Sequence, residues 1–66
     1  MKNTIKVERA KQDMTQEKLA ELVSVSRQTI NSIEKYRYIP STVLALKIAK
    51  IFNLSVNEIF SLEEND

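Results

Sequence analysis

A break too short to be a loop organises this chain. Between Thr15 and Pro40 the sequence reads TQEKLAELVSVSRQTINSIEKYRYIP. It holds two amphipathic helical patterns separated only by Ser24, Val25 and Ser26. The first, over residues 16–23, carries Leu19, Ala20 and Val23 on one face; the second, over 27–34, carries Ile30 and Ile33. Helices joined this tightly cannot fold back antiparallel and must cross steeply. Ala20 then falls where the backbones approach most closely, and Val25 plugs the corner from below. Leu19, Val23, Val25, Ile30 and Ile33 converge on one core. The second helix is left with Arg27, Gln28, Thr29, Asn31 and Ser32 facing outward, a compact set rich in donors. The bland reading of that face is a solvated surface. The sharper one is a face shaped to lie in the major groove of DNA.

At 66 residues the chain is one domain, residues 1–66, near the lower limit for folding without a staple. With no cysteine and no histidine there is no disulfide framework and no obvious zinc site, so the core must be aliphatic. No cofactor, metal or small-molecule ligand is expected. No apolar run reaches the roughly 18 residues of a membrane span, and no signal peptide is recognisable, so no membrane partner is expected and the chain reads as cytoplasmic. Net charge is only +1, but its distribution is uneven. Residues 22–57 carry Arg27, Lys35, Arg37, Lys47 and Lys50 against Glu34, whereas residues 58–66 carry Glu58, Glu63, Glu64 and Asp66. Such asymmetry suits a phosphate-facing side and a side turned away from it, although ordinary surfaces also show it.

The remaining pattern predicts an all-α fold, a compact bundle of five helices near 4–12, 16–23, 27–35, 41–52 and 56–60. Asn3 or Thr4 caps the first, Thr15 the second, Ser26 the third, and Ser41 and Thr42 open the fourth. Ser55 and Glu58 form a capping box for the fifth. Glycine is absent, so every left-handed turn must use a residue with a β-carbon; Asp13 and Asn53 are the expected C-terminal stops. Pro40 pushes Ile39 out of the helical region, making residues 35–40 a loop with Lys35 and Arg37 interleaved with Tyr36 and Tyr38. Ile59, Phe60 and Leu62 exceed what a closing turn needs. They complete the core, seal a dimer, or pair as a short β-strand with residues 1–4.

The pattern resembles the phage repressor and Cro type of helix-turn-helix, the XRE-like family, over nearly the whole chain. The most specific matches are TQEKLAELVSVSRQTINSIEK, Pro40-Ser41, and LALKIAKIFNLSVNEIF. The resemblance implies that Arg27, Gln28 and Ser32 reach base edges, flanked by Thr29 and Asn31. It implies that Gln16 contacts a phosphate, and that Arg9 and Glu34 form a partly buried ion pair with a structural role. The family often has glycine where this chain has Asp13, Ser24, Tyr36 and Asn53. At Tyr36 either the backbone accepts strain or the third helix runs on by about a turn. Glu8 stands where many members of that family carry leucine, so the first helix is expected to pack differently, through Val7.

These readings point to a sequence-specific transcriptional regulator of double-stranded DNA, most simply a repressor. Lys35, Arg37 and Ser41 join Gln16 as phosphate contacts. One recognition helix buries too little for specific affinities of about 10⁻⁸ M, so a homodimer on a pseudo-palindromic operator is expected, with Ile59, Phe60 and Leu62 as its interface. No ligand-binding domain is expected beyond residue 66, so any signal would act through a partner, dimerisation or protein level. The rival class is a protein-interaction module such as an antitoxin or anti-repressor. Catalysis has no nucleophile–base pair to support it, and Glu17 and Glu21, one turn apart, read as solvated.

Overall fold

The computed structural model describes residues 1–66. In chain order the elements are β1 (Lys2–Asn3), α1 (Ile5–Lys11), α2 (Gln16–Leu22), α3 (Arg27–Glu34), α4 (Thr42–Phe52), α5 (Val56–Ile59) and β2 (Phe60–Ser61). Hydroxyl side chains set three of the helix starts. Thr15 accepts from the Lys18 amide at 3.0 Å, Ser26 from Thr29 at 3.1 Å and Ser41 from Leu44 at 3.1 Å. At α1 the expectation divides: Thr4 occupies the cap position but makes no cap bond, while Asn3 Oδ1 accepts from the Ile5 amide at 3.1 Å. At α5 the Glu58 carboxylate accepts from the Ser55 amide at 2.9 Å, and that bond holds it below the usual carboxylate range.

The first four helices end in the same way. Each turns on one residue of positive φ: Asp13 at 50°, Ser24 at 60° and Tyr36 at 62°, each just after its cap, and Asn53 at 56°, the cap of α4 itself. In each case two amides close back on the last turn, as in a Schellman motif. Behind α2, Val25 donates to the Ala20 carbonyl at 3.0 Å and Ser24 to Glu21 at 3.3 Å. Behind α3, Arg37 donates to Ser32 at 2.9 Å and Tyr36 to Ile33 at 3.0 Å. Tyr36 therefore accepts the strained conformation, and α3 stops at Glu34 instead of running on. Left-handed backbone costs an ordinary residue roughly 1–2 kcal/mol, partly offset by glycine's greater chain entropy. Ser24→Gly and Tyr36→Gly are each expected to raise stability by about 0.5–1 kcal/mol in urea titrations.

The apolar anchors that accompany this turn differ along the chain. Met14, Val25 and Leu54 follow their turns and pack against the core. After α3 the equivalent residue is Arg37, exposed and with no apolar anchor to make.

Thirteen side chains form the core, with Ile5, Leu19, Ile30 and Ile48 fully buried. Ala20 is 2% exposed in the α2–α3 corner, as the tight crossing requires. From α4, Leu44, Ala45, Ile48, Ala49 and Phe52 point inward, while Val43 and Leu46 remain exposed. The strands pair antiparallel, Lys2 opposite Ser61 and Asn3 opposite Phe60. Asn3 also donates from Nδ2 to the Ile33 carbonyl at 2.8 Å, tying the sheet to the end of α3. Phe60 is extended (φ −110°, ψ 141°), which ends α5 at Ile59, one residue short of expectation. The acidic tail folds back: the Met1 ammonium lies 2.9 Å from Glu63 Oε1 and 3.1 Å from Asp66 Oδ2.

The assignment of Ile59 and Phe60 to a dimer interface is corrected here. They are 2% and 5% exposed in the single chain, spent on its own core, because the β1–β2 pairing turns them inward. Of the three, Leu62 alone is free, at 79% exposed.

Candidate nucleic-acid interface

At about 100° per residue, burial of Ile30 and Ile33 turns Gln28, Asn31, Ser32 and the following Lys35 away from the core. Arg27 and Gln28 are exposed at the N-terminal end of α3, and Asn31 and Ser32 are half-buried one turn on. Thr29 lies at the edge, its hydroxyl 2.9 Å from Ser26 Oγ and its amide committed to the cap. All five residues expected to reach base edges thus retain access to solvent, Arg27 and Gln28 most freely.

One flank of this face is an open groove of about 300 Å³, lined by Gln28, Thr29, Ser32, Arg37 and Tyr38. The turn after Tyr36 builds it, because the reversal brings residues 37 and 38 alongside the middle of α3. Arg37 accordingly stands exposed beside the outward face of α3. Tyr38 was not among the expected contact residues; the alternation of Lys35, Tyr36, Arg37 and Tyr38 was the available signal. Lys35 is exposed at the end of α3, and Ser41 is exposed with its oxygen capping α4, leaving its hydroxyl hydrogen to offer.

The other flank is a bonded network. Arg9 Nε donates to Glu34 Oε2 at 2.6 Å and Nη2 to Oε1 at 3.0 Å, with side-chain exposures of 13% and 5%. Arg9 Nη1 also donates to the Met14 carbonyl at 2.7 Å, so the pair pins α1 and its closing turn against α3. Gln16 Nε2 donates to Glu34 Oε1 at 3.0 Å and to Asn31 Oδ1 at 3.3 Å. Both hydrogens of the Gln16 amide are therefore engaged, and in this arrangement its side chain offers a phosphate none. Glu17 and Glu21 are solvent-exposed, as expected. No group of acidic residues could hold a metal ion, and no helix is long and apolar enough to cross a membrane.

A family model described as "Helix-turn-helix" matches residues 5–59. An uncharacterized HTH-type transcriptional regulator of Bacillus subtilis, YgzD, is 50% identical over 66 residues, covering the whole of both chains. An uncharacterized HTH-type transcriptional regulator of Methanocaldococcus jannaschii is likewise 50% identical over the whole of both chains. Among solved structures, the clp gene regulator ClgR of Corynebacterium glutamicum superposes with a TM-score of 0.75 at 26% identity. That match covers 82% of this chain and 57% of ClgR.

Proposed function

The chain belongs to the helix-turn-helix family of transcriptional regulators, and we propose that it is a sequence-specific repressor that binds double-stranded DNA as a homodimer on a pseudo-palindromic operator. The observation that carries this reading is the exposed donor face of α3, with Arg37 and Tyr38 drawn alongside it. Arg27, Gln28, Asn31 and Ser32 read base edges in the major groove, with Thr29 at the margin. Arginine pairs with guanine O6 and N7, and glutamine with adenine N6 and N7. Lys35, Arg37 and the Ser41 hydroxyl fix the register on the backbone. Gln16 reaches a phosphate only by giving up one of its internal bonds. Repression follows from occlusion of the operator. The family is not catalytic, and nothing in the mechanism calls for a bound small molecule.

Dimerisation needs a surface other than Ile59 and Phe60. The apolar side chains left exposed near the start of α4 are Ile39, Val43 and Leu46, with Leu62 beyond β2. A second copy of the chain is proposed to cover them, placing two α3 helices about one turn of DNA apart. Sedimentation should then find a dimer at micromolar concentration; a monomer would remove this part of the proposal.

The function is tested by binding to a labelled duplex across a salt series. Affinity should fall steeply with salt, because each neutralised phosphate releases counterions. Lys35→Ala combined with Arg37→Ala should weaken all sequences about equally and flatten the salt slope by roughly 2. Binding insensitive to salt would contradict the proposal.

A further inference from the structure

We infer that Glu34 and Gln16 act as positioning residues that turn Asn31 into a donor-only reader, which selects a keto base, guanine or thymine, over adenine or cytosine. The inference deepens the DNA-binding reading and rests on it.

It begins with an ambiguity that chemistry removes. The two ends of an amide side chain are nearly alike in shape, and only the bonding partners say which is which. Glu34 supplies the fixed point. Its carboxylate, forked by the Arg9 guanidinium, can only accept. The Gln16 atom 3.0 Å from Glu34 Oε1 must therefore be the nitrogen. That nitrogen carries two hydrogens, and the second meets Asn31 at 3.3 Å, so the Asn31 atom there must be the oxygen. The orientation thus passes along a chain from Arg9 to Glu34, Gln16 and Asn31, with no free choice at any link. Asn31 is left with its oxygen turned back toward α2 and its amino group unengaged on the solvent side of α3.

An unconstrained asparagine reads adenine by a two-point contact that uses oxygen and nitrogen together, accepting from N6 and donating to N7. Here the oxygen is held away, and only hydrogens face the groove. Hydrogens suit an edge of acceptors: guanine presents O6 and N7, and thymine presents O4. Cytosine presents the N4 amino group, so a donor meets a donor; adenine accepts at N7 alone and sets its N6 amino group against the second hydrogen, where guanine accepts at both O6 and N7. On this account Gln16 is a tether for the recognition face. Its alternative role as a phosphate anchor would require one of the same two hydrogens.

Selection of bound sequences from a random pool separates the two roles, using the full chain, Asn31→Ala, Gln16→Leu and Gln16→Met. The wild type should show one position with a keto preference of roughly fivefold or more, the lower end of a good base contact. That preference should vanish in Asn31→Ala, which identifies the position. In both Gln16 variants it should relax or move toward adenine, with the remaining positions unchanged. Gln16 begins α2 half-buried and outside the apolar core, so loss of its bond to Glu34 should lower the circular dichroism melt while leaving the helical fold in place. If one variant fails to fold, the other carries the test. A preference untouched in the Gln16 variants, or an equal loss at every position, would overturn the tether and leave a phosphate anchor. An adenine preference at that position in the wild type would also overturn it. A wild type that selects no sequence at all would overturn this inference together with the proposed function.

Discussion

Glu34→Ala is expected to cost this domain about 3–5 kcal/mol, the range for removing one partner of a buried ion pair. Its carboxylate accepts from two Arg9 nitrogens at 2.6 and 3.0 Å and from Gln16 at 3.0 Å, at 5% side-chain exposure. Removing it leaves the Arg9 guanidinium in a site 13% exposed with only the Met14 carbonyl for company. A chain of this length has a total stability of roughly 3–10 kcal/mol, so the variant should be close to unfolded at room temperature. Urea titration followed by circular dichroism reads the loss. The control is Glu21→Ala, which breaks a contact of 3.9 Å between groups 55% and 73% exposed. That change should fall within about 0.5 kcal/mol. If the two variants are equally stable, the network does not hold α1 and α3 together.

The second large effect falls on binding instead of folding. Arg27→Ala and Gln28→Ala are each expected to remove roughly 1–3 kcal/mol of discrimination between the preferred site and its single-base variants. Both side chains are exposed and neither belongs to the core or to the Arg9–Glu34 network, so melting should change by less than about 0.5 kcal/mol. The check is competition binding against preferred and mismatched duplexes, with the melt run alongside. Unchanged discrimination in both variants would refute the assignment of α3 to the groove.

How much of this was legible in the residues depends on where the information lay. The α2–α3 corner was readable because its constraints are local: a three-residue break, Ala20 at the crossing, and isoleucines at helical spacing. The caps were readable for the same reason, since a hydroxyl before an apolar pattern has one common use. The chain ends were less so. Whether Ile59 and Phe60 faced a partner or their own core depended on β1 pairing with β2 across nearly the whole chain. Two-residue strands leave no alternation to detect. Tyr36 was undecided between strain and a longer helix because propensity opposes the left-handed turn; two returning amide bonds to α3 settle it. The groove with Tyr38 follows from that turn, and the alternation of cations and tyrosines over residues 35–38 was its one sign in the sequence. Likewise, the resemblance placed Gln16 on a phosphate, but only the geometry shows both its hydrogens committed within the protein.

The most direct test of the central claim maps DNA onto the chain residue by residue. Labelled protein is titrated with a short duplex drawn from the sequences it selects, and backbone amide shifts are followed by NMR. Docking of α3 into the groove predicts that the largest changes fall at residues 27–32 and 35–38, with Ile48 and Phe52 in the core nearly still. Changes gathered instead along Val43, Leu46 and the tail after Phe60, with residues 27–32 unmoved, would contradict it.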